Sequence, residues 1–409
     1  MRVLVIGSGG REHALCLALR RDPAVTELFC APGNAGIAKV AELRDVEVAE
    51  PETVAALAQE LAVDLVVIGP ELPLVKGAAD AVRAAGIACF GPSAAAARIE
   101  GSKSFAKDVM VAAGVPTARS FTCTTPDEVA KALADFGPPY VVKDDGLAAG
   151  KGVVVTDDRE LATAHAARCE RVVIEEHLDG PEVSLFCVTD GVTVIPLEPA
   201  QDFKRLGDGD TGPNTGGMGA YSPLPWLSPD TKADVVSRVA QPVIDHLREV
   251  GTPFAGLLYV GLAITQQGPM VIEFNARFGD PETQVVLARL QTPLGGLLLS
   301  AATGTLADHP PLEWSPEAAV AVVVSARGYP ESPITGDPIT GTDDAAVLHA
   351  GTSLDSAGAL VSSGGRVLTV LGRGTTLAAA RKDAYVRVNR VYLPGGHFRT
   401  DIAQKASRS

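Results

Sequence analysis

Along the first hundred positions, short apolar runs alternate with longer mixed stretches. Arg2–Gly7, Leu28–Ala31, Leu65–Gly69 and Ala88–Gly91 are the runs. Between them, Arg11–Arg20 reads as an amphipathic helix, and Pro51–Leu61 and Val75–Ala85 read as further helical segments. Strands alternating with helices predict a parallel sheet with helices on both faces, closed by Gly-Pro-Ser at 91–93. The pattern changes after Ala94. An alanine-rich helix runs into Gly101-Ser-Lys-Ser-Phe-Ala-Lys, and a second helix ends near Gly114. Strands are then expected at Tyr140–Lys143, Val153–Thr156, Val172–His177, Val183–Thr189 and Val192–Leu197, the last two joined as a hairpin at Asp190-Gly191. The polar, glycine-rich segment 201–223 reads as a long irregular loop. A helix from Pro229 to Val250 and strands Phe254–Thr265 and Met270–Asn275 follow. Beyond Pro310, strands Ala318–Ser325 and Val367–Leu371 and a helix near Leu377–Val386 make a last unit. Three units are expected: 1–100, 101–305 with a lobe over about 117–190, and 306–409.

Composition narrows the field without naming a reaction. The 409 residues are 46% apolar and 21% charged, with a net charge of −14. That balance disfavours nonspecific binding to nucleic acid or a membrane surface. No apolar run approaches the ~20 residues of a membrane span, and the first residues enter a strand rather than a signal-peptide core. Cys16, Cys30, Cys89, Cys123, Cys169 and Cys187 form no CxxC pair, so free thiols in a cytoplasmic protein are expected and zinc is not.

The chemistry concentrates at 271–284, Val-Ile-Glu-Phe-Asn-Ala-Arg-Phe-Gly-Asp-Pro-Glu-Thr-Gln. Strand alternation puts Glu273, Asn275 and Arg277 on one face, opposite Ile272 and Phe274. A carboxylate, an amide oxygen and a guanidinium suit magnesium on a polyphosphate, since magnesium takes oxygen ligands and arginine takes phosphate oxygens. A polar sheet face with a salt bridge is the plainer reading of three such residues. Phe-Gly-Asp-Pro-Glu then breaks the strand and places Asp280 and Glu282 at the start of a helix, Thr283–Leu290. Glu282 is expected to cap that helix; Asp280 is left between capping and touching a substrate amine.

Other segments carry weaker signals. Gly7-Ser-Gly-Gly-Arg-Glu-His opens a helix after the first strand, where free N–H groups favour a phosphate. Glu12 stands where a dinucleotide fingerprint needs its third glycine, so that fingerprint fails. Glu71, at the end of a later parallel strand, faces the same crevice. Lys143-Asp-Asp-Gly-Leu-Ala-Ala-Gly-Lys-Gly-Val is a small-residue loop between strands with a lysine at each end. It can fold over a triphosphate, but it opens a strand rather than a helix and is no Walker A loop. Val173-Ile-Glu-Glu-His-Leu can offer backbone groups to an adenine edge, with Glu182 reaching ribose hydroxyls. Asp202, Lys204 and Arg205 can pair with the amine and carboxylate of a small zwitterion.

Taken in order, these motifs, with Asp-Thr-Gly-Pro-Asn-Thr-Gly-Gly-Met-Gly-Ala-Tyr-Ser-Pro at 210–223, resemble the phosphoribosylamine–glycine ligase (glycinamide ribonucleotide synthetase) family of the ATP-grasp superfamily. The resemblance runs from Met1 to about Ile402. It implies an α/β and α+β multidomain fold: a parallel, biotin-carboxylase-like N-terminal domain, a two-lobed ATP-grasp core and a small C-terminal α+β domain. It also implies ligation of glycine to 5-phosphoribosylamine with ATP and Mg²⁺ (Mn²⁺ as the alternative), through glycyl phosphate, in purine biosynthesis. Carried onto this chain, Lys103 and Lys143 would contact phosphate, and Gly146, Ala149, Gly150, Lys151 and Gly152 would form the lid. Glu175, Glu176 and Leu178 would make the adenine hinge, with Glu182 on the ribose. Glu273 and Asn275 would hold the metal, and Arg277 the transferring phosphate. Gly9, Gly10, Arg11 and Glu71 would face phosphoribosylamine; Asp202, Lys204, Arg277 and Asp280 complete the substrate set. A cytoplasmic monomer in passing contact with the preceding pathway enzyme is the expected state. Two features depart from the family pattern: the short stretch Ala166–Arg171, and Asp144 where alanine is usual. A carboxylating or formyl-transferring relative, and a nucleotide-binding module without turnover, are the competing readings.

Overall fold

The computed structural model describes residues 1–147 and 152–408. The first unit is an all-parallel sheet in the order Glu42–Leu43, Glu27–Pro32, Arg2–Gly7, Leu65–Ile68, Ala88–Phe90. Its strands are buried on both faces. Leu4 and Ile6 pack into one apolar core while Val3 and Val5 pack into another. This is why they read as continuous apolar runs rather than alternating ones. The helix Gly10–Arg20 is not amphipathic as expected: Arg11, Glu12 and His13 are buried along with Leu15, Cys16 and Leu19. The C-terminal unit covers its second side, and the His349 N–H donates to His13 Nδ1 at 2.8 Å.

The central unit holds two antiparallel sheets. The lid sheet, in the order Ser120–Cys123, Val172–Glu175, Tyr140–Asp144, Val153–Thr156, has its own small core around Leu133, Val142 and Ile174. The core sheet runs Val194–Pro196, Glu182–Asp190, Ala255–Thr265, Gly268–Asn275. Its first two strands form the hairpin at Asp190-Gly191. Glu182–Asp190 thus belongs to the core sheet, and the lid sheet closes at Glu175. The helix expected over 229–250 is broken into Thr231–Val235, a π turn at Val236–Ala240, and Gln241–Glu249. Pro242 has no N–H to give the regular ladder, and the wider turn accommodates it.

Segment 201–223 is not an irregular loop. It contains Gln201–Asp202, Arg205–Gly207, Thr211–Asn214 and Gly219–Ser222. The last pairs with Ala318–Ser325, so a five-stranded sheet joins the central and C-terminal units. All six cysteines are free, and only Cys169 is less than fully buried. Among the described residues no helix is long and apolar enough to cross a membrane.

Candidate active site

The side expected to take the nucleotide is built where the sheet of Ser120–Cys123, Tyr140–Asp144, Val153–Thr156 and Val172–Glu175 meets the core strand Gly268–Asn275. Lys143, near the end of its strand, is buried, 2.8 Å from Glu175 Oε2, and donates to the Ile272 carbonyl at 3.0 Å. The other oxygen of Glu175 lies 3.2 Å from Lys107 Nζ, which also donates to Thr117 Oγ1 and the Ala118 carbonyl. One carboxylate therefore holds two buried ammonium groups. Lys103, one turn before Lys107 on the helix Lys103–Ala112, donates to the Gly146 carbonyl at 2.8 Å. Burial lowers the pKa of Lys103, against the pull of Glu273. Burial likewise lowers that of Lys107, against Glu175. Surplus positive charge here is what a triphosphate needs. Lys107 is absent from the sequence reading, although its i, i+4 spacing from Lys103 puts both on one helix face.

The rest of the expected nucleotide set is unevenly placed. Ala149, Gly150 and Lys151 lie outside the described residues. The Gly152 carbonyl is occupied by the Asp144 N–H at 2.7 Å. The Glu175 carboxylate is consumed by its lysines, so only its backbone can serve an adenine edge. Glu176 accepts from the Arg119 N–H and Nε at 2.9 and 2.7 Å, and its own N–H goes to the Arg119 carbonyl. Leu178 is half-buried in the following irregular stretch. Glu182 pairs with Lys204, which holds its carboxyl below the usual range. Lys204 also lies 3.8 Å from Asp202, whose carboxyl burial pushes up to about 7 despite that neighbour.

Glu273 and Asn275 sit on the strand edge beside Lys143's contact. The alternation expected for 271–277 is interrupted: Gly261 pairs with Glu273 while Leu262 pairs with Val271, which leaves Ile272 as a bulge. Val271 and Phe274 are both buried, and Glu273 and Asn275 stay on a common, partly exposed face. Among the described residues no cluster of three or more His, Cys, Asp or Glu side chains is set to hold a metal. Two hard oxygen donors nonetheless fit magnesium, which keeps waters and takes phosphate oxygens for its remaining positions.

Arg277 does not stand free beside them. Its Nη2 lies 2.7 Å from Glu100 Oε1 and donates to Asn275 Oδ1 at 3.3 Å. Its Nε is 3.3 Å from Glu71 Oε2 yet, among the described residues, is buried without a hydrogen bond. Burial would lower the pKa of the guanidinium, but Glu100 and Glu71 raise it. Burial would raise Glu71 as well, yet Arg277 and Arg11 hold it below its usual range. Glu100 rises with burial despite Arg277, and its second oxygen accepts from the Ala276 N–H at 2.7 Å. Glu100 was not singled out in the sequence; a lone glutamate ending an alanine-rich helix gives little signal.

The glycine turn at 7–12 is closed by its own side chains. Glu12 accepts from the Gly9 N–H at 2.6 Å and from Arg11 Nε at 2.6 Å. Arg11 is buried and donates also to the Phe278 carbonyl at 3.0 Å. The guanidinium expected to meet a phosphate is turned inward instead. A Cβ at Gly69 would stand 2.0 Å from Glu12 Oε1, so this carboxylate fills the crevice between the two parallel strands. Gly10 packs against Gln284 and Thr369 of other units.

Asp280 joins three units. Its Oδ2 accepts from the Arg11 N–H at 3.1 Å, its Oδ1 accepts from Gln284 Nε2 at 3.0 Å, and Arg366 Nη1 is 3.5 Å away. Burial would raise its carboxyl, but Arg366 and Arg11 bring it below the usual range. Glu282 does not cap the helix Glu282–Arg289: no side chain caps that helix start. It is buried, as is the whole first turn, and accepts from Tyr259 Oη at 2.7 Å and Ser184 Oγ at 3.3 Å, so its partners come from the strands beneath rather than from its own helix.

A small antiparallel sheet beside a second one, paired lysines and a carboxylate–amide strand end, with a parallel N-terminal unit, define an ATP-grasp enzyme. Comparison with known proteins narrows this. Phosphoribosylglycinamide synthetase profiles match three stretches: the N domain at 1–100, the ATP-grasp (A) domain at 101–283 and the C domain at 319–405. The phosphoribosylamine–glycine ligase of Streptomyces coelicolor is 66% identical, with 100% of each chain covered. That of Mycobacterium tuberculosis is 60% identical over 100% of this chain and 99% of its own. The crystal structure of the Thermotoga maritima phosphoribosylamine–glycine ligase superposes with a TM-score of 0.87 at 34% identity, covering 98% of this chain and 100% of that one. A biotin carboxylase from Campylobacter jejuni, 14% identical with a TM-score of 0.72 over 97% of this chain and 92% of its own, shares the fold. The chain belongs to the phosphoribosylglycinamide synthetase family.

Proposed function

We propose that this chain activates glycine as glycyl phosphate and passes it to the amine of phosphoribosylamine within one cleft. The family makes it a ligase of purine biosynthesis, joining phosphoribosylamine to glycine. In the proposed route a glycine carboxylate oxygen attacks the γ-phosphorus of ATP, the bond to the bridging oxygen breaks, and ADP leaves. The amine then attacks the acyl carbon, phosphate leaves, and one amine proton is released. Such a reaction asks for alignment and charge neutralisation more than for a strong acid or base.

The observation that carries this reading is the surplus of lysine over carboxylate at Lys107, Lys143 and Glu175, directly beside the Glu273 strand. Lys103 and Lys143 are assigned to the phosphates, and Gly146–Gly152 to the lid that keeps water from the acyl phosphate. Glu273 and Asn275 would hold Mg²⁺ or Mn²⁺, which when bound neutralises phosphate charge. Arg277, whose buried Nε makes no hydrogen bond among the described residues, is assigned to the transferring phosphate. Asp202 and Lys204 are assigned to the two ends of glycine. Glu71 and the backbone at Gly9–Arg11 are assigned to phosphoribosylamine; the Arg11 side chain serves by holding Glu12. The backbone at Glu175, Glu176 and Leu178 is assigned to the adenine edge, and Glu182 to the ribose. Units 1–100, 101–305 and 306–409 contribute respectively the amine site, the nucleotide clamp and the cover. Free thiols and the acidic charge support a cytoplasmic enzyme, taken here as a monomer that receives its unstable amine from the preceding enzyme.

Glycine labelled with heavy oxygen in its carboxylate tests the route. Label is expected in the released phosphate; unlabelled phosphate overturns the acyl phosphate.

A further inference from the structure

Arg366 opens the strand Arg366–Gly374 of the C-terminal unit and carries none of the roles assigned above. Its Nη1 donates to the Gly216 carbonyl, to the Asp280 carbonyl at 2.6 Å and to the Gly217 carbonyl at 3.5 Å. Tyr329, of the same unit, accepts the Gly216 N–H on its hydroxyl at 2.9 Å. Both backbone polar groups of Gly216 are therefore held by the C-terminal unit. Gly217 has φ +111°, and a Cβ there would stand 2.5 Å from Pro281 Cδ, so the turn rests directly on the Asp280–Pro281 peptide.

Both substrate pockets hang from this turn. On one side Thr215 donates through its N–H and its hydroxyl to the Lys204 carbonyl, both at 2.8 Å. Met218 N–H donates to the Phe203 carbonyl at 2.7 Å, so the backbone between Asp202 and Lys204 is tied down. On the other side Asp280 accepts from the Arg11 N–H. We propose that Arg366, assisted by Tyr329, is a positioning residue of the ligation: it locks the Gly216–Gly217 turn onto Asp280 and so keeps the glycine pocket in register with the acceptor-amine pocket. The inference rests on the acyl phosphate reading above. In that reading the amine competes with water for an activated carbonyl, and attack requires near contact, roughly 3–3.5 Å. Loosening the turn leaves the phosphoryl-transfer half intact and lets the acyl phosphate drain to water. A residue that merely glued the units together would lower both half-reactions equally.

The test is to measure ADP and ligated product in parallel for Arg366→Met, Arg366→Lys and Tyr329→Phe. The native enzyme should give a ratio near unity. Arg366→Met should raise it about 3- to 10-fold with the KM for ATP within about two-fold, the split expected when transfer rather than activation is lost. Lysine, with three donors on one nitrogen, should restore part of the coupling, and Tyr329→Phe should show a smaller rise. ADP and product falling together at an unchanged ratio overturns the proposal. Should Arg366→Met not fold, a native ratio in both milder variants overturns it equally. Failure of the acyl phosphate itself is read separately, from the heavy-oxygen label in the native enzyme.

Discussion

On the lid side of the cleft, Lys107 and Lys143 share Glu175; on the N-terminal side, Arg11 and Arg277 face Glu12, Glu71 and Glu100. The first group leaves cation in excess and the second leaves carboxylate in excess. Both are largely withdrawn from water, where charge interactions are strong. In the proposed reaction the difference would let one cleft take a polyphosphate and an amine at once: each wall is biased by an incomplete set of partners, which a substrate would complete. A buried ion pair adds little stability by itself, but a buried ion left alone is expensive. The incomplete sets are therefore poised for ligands and vulnerable to mutation.

The comparison is broken most severely at the strand end between the walls. Glu273→Ala should lower kcat about 10³-fold at saturating Mg²⁺ while ATP still binds, a loss of the size seen when a transition-state charge partner goes. Substantial retained activity would sink the metal assignment. Next, Glu175→Ala strands two ammonium groups and should destabilise the protein by about 3–5 kcal/mol in denaturant unfolding. A loss under about 1 kcal/mol would mean water already reaches Lys107 and Lys143. Glu12→Gln strands only one guanidinium and keeps an oxygen for the Gly9 N–H, so about 2 kcal/mol is expected. Equal losses at the two sites would erase the contrast between the walls.

The smallest effect concerns pH. Asp202, pushed up to about 7 by burial, keeps its proton in the folded state over a range where the unfolded chain has lost it. Its contribution to stability is present in acid and fades as pH rises from about 4 to about 7. Over the upper part of that window the carboxylate forms and gains the ability to hold the glycine ammonium. The KM for glycine should therefore fall a few-fold as pH rises through about 7, and Asp202→Asn should flatten both trends. A profile unchanged in Asp202→Asn would assign the titration elsewhere.

Legibility from the sequence followed the locality of the cause. The parallel sheet was readable because Val3–Ile6 and Val66–Ile68 are apolar on both faces. Glu273 and Asn275 were readable because a strand end carries them to one side. The strands within 201–223 were not: they are two to four residues long, and Gly219–Ser222 is held by a partner about a hundred positions away. The reversal of Arg11 and the burial of Glu282 depend on groups from Phe278 and Tyr259 that no local pattern announces. The expected lid contacts of Ala149, Gly150 and Lys151 fall outside the described residues.

The bulge at Ile272 acts as a frame marker for the strand that carries Glu273 and Asn275. Because successive side chains alternate faces, deleting this one residue would not trim a contact but turn the downstream text over. Either Glu273 and Asn275 would swing under the sheet with Phe274 thrown out, or the strand would give up its pairing with Ala255–Thr265. The same extra residue presents the carbonyl that Lys143 holds. A single inserted amino acid thus sets both which way Glu273 and Asn275 point and where Lys143 anchors, so a change of length here would disturb more than a change of identity.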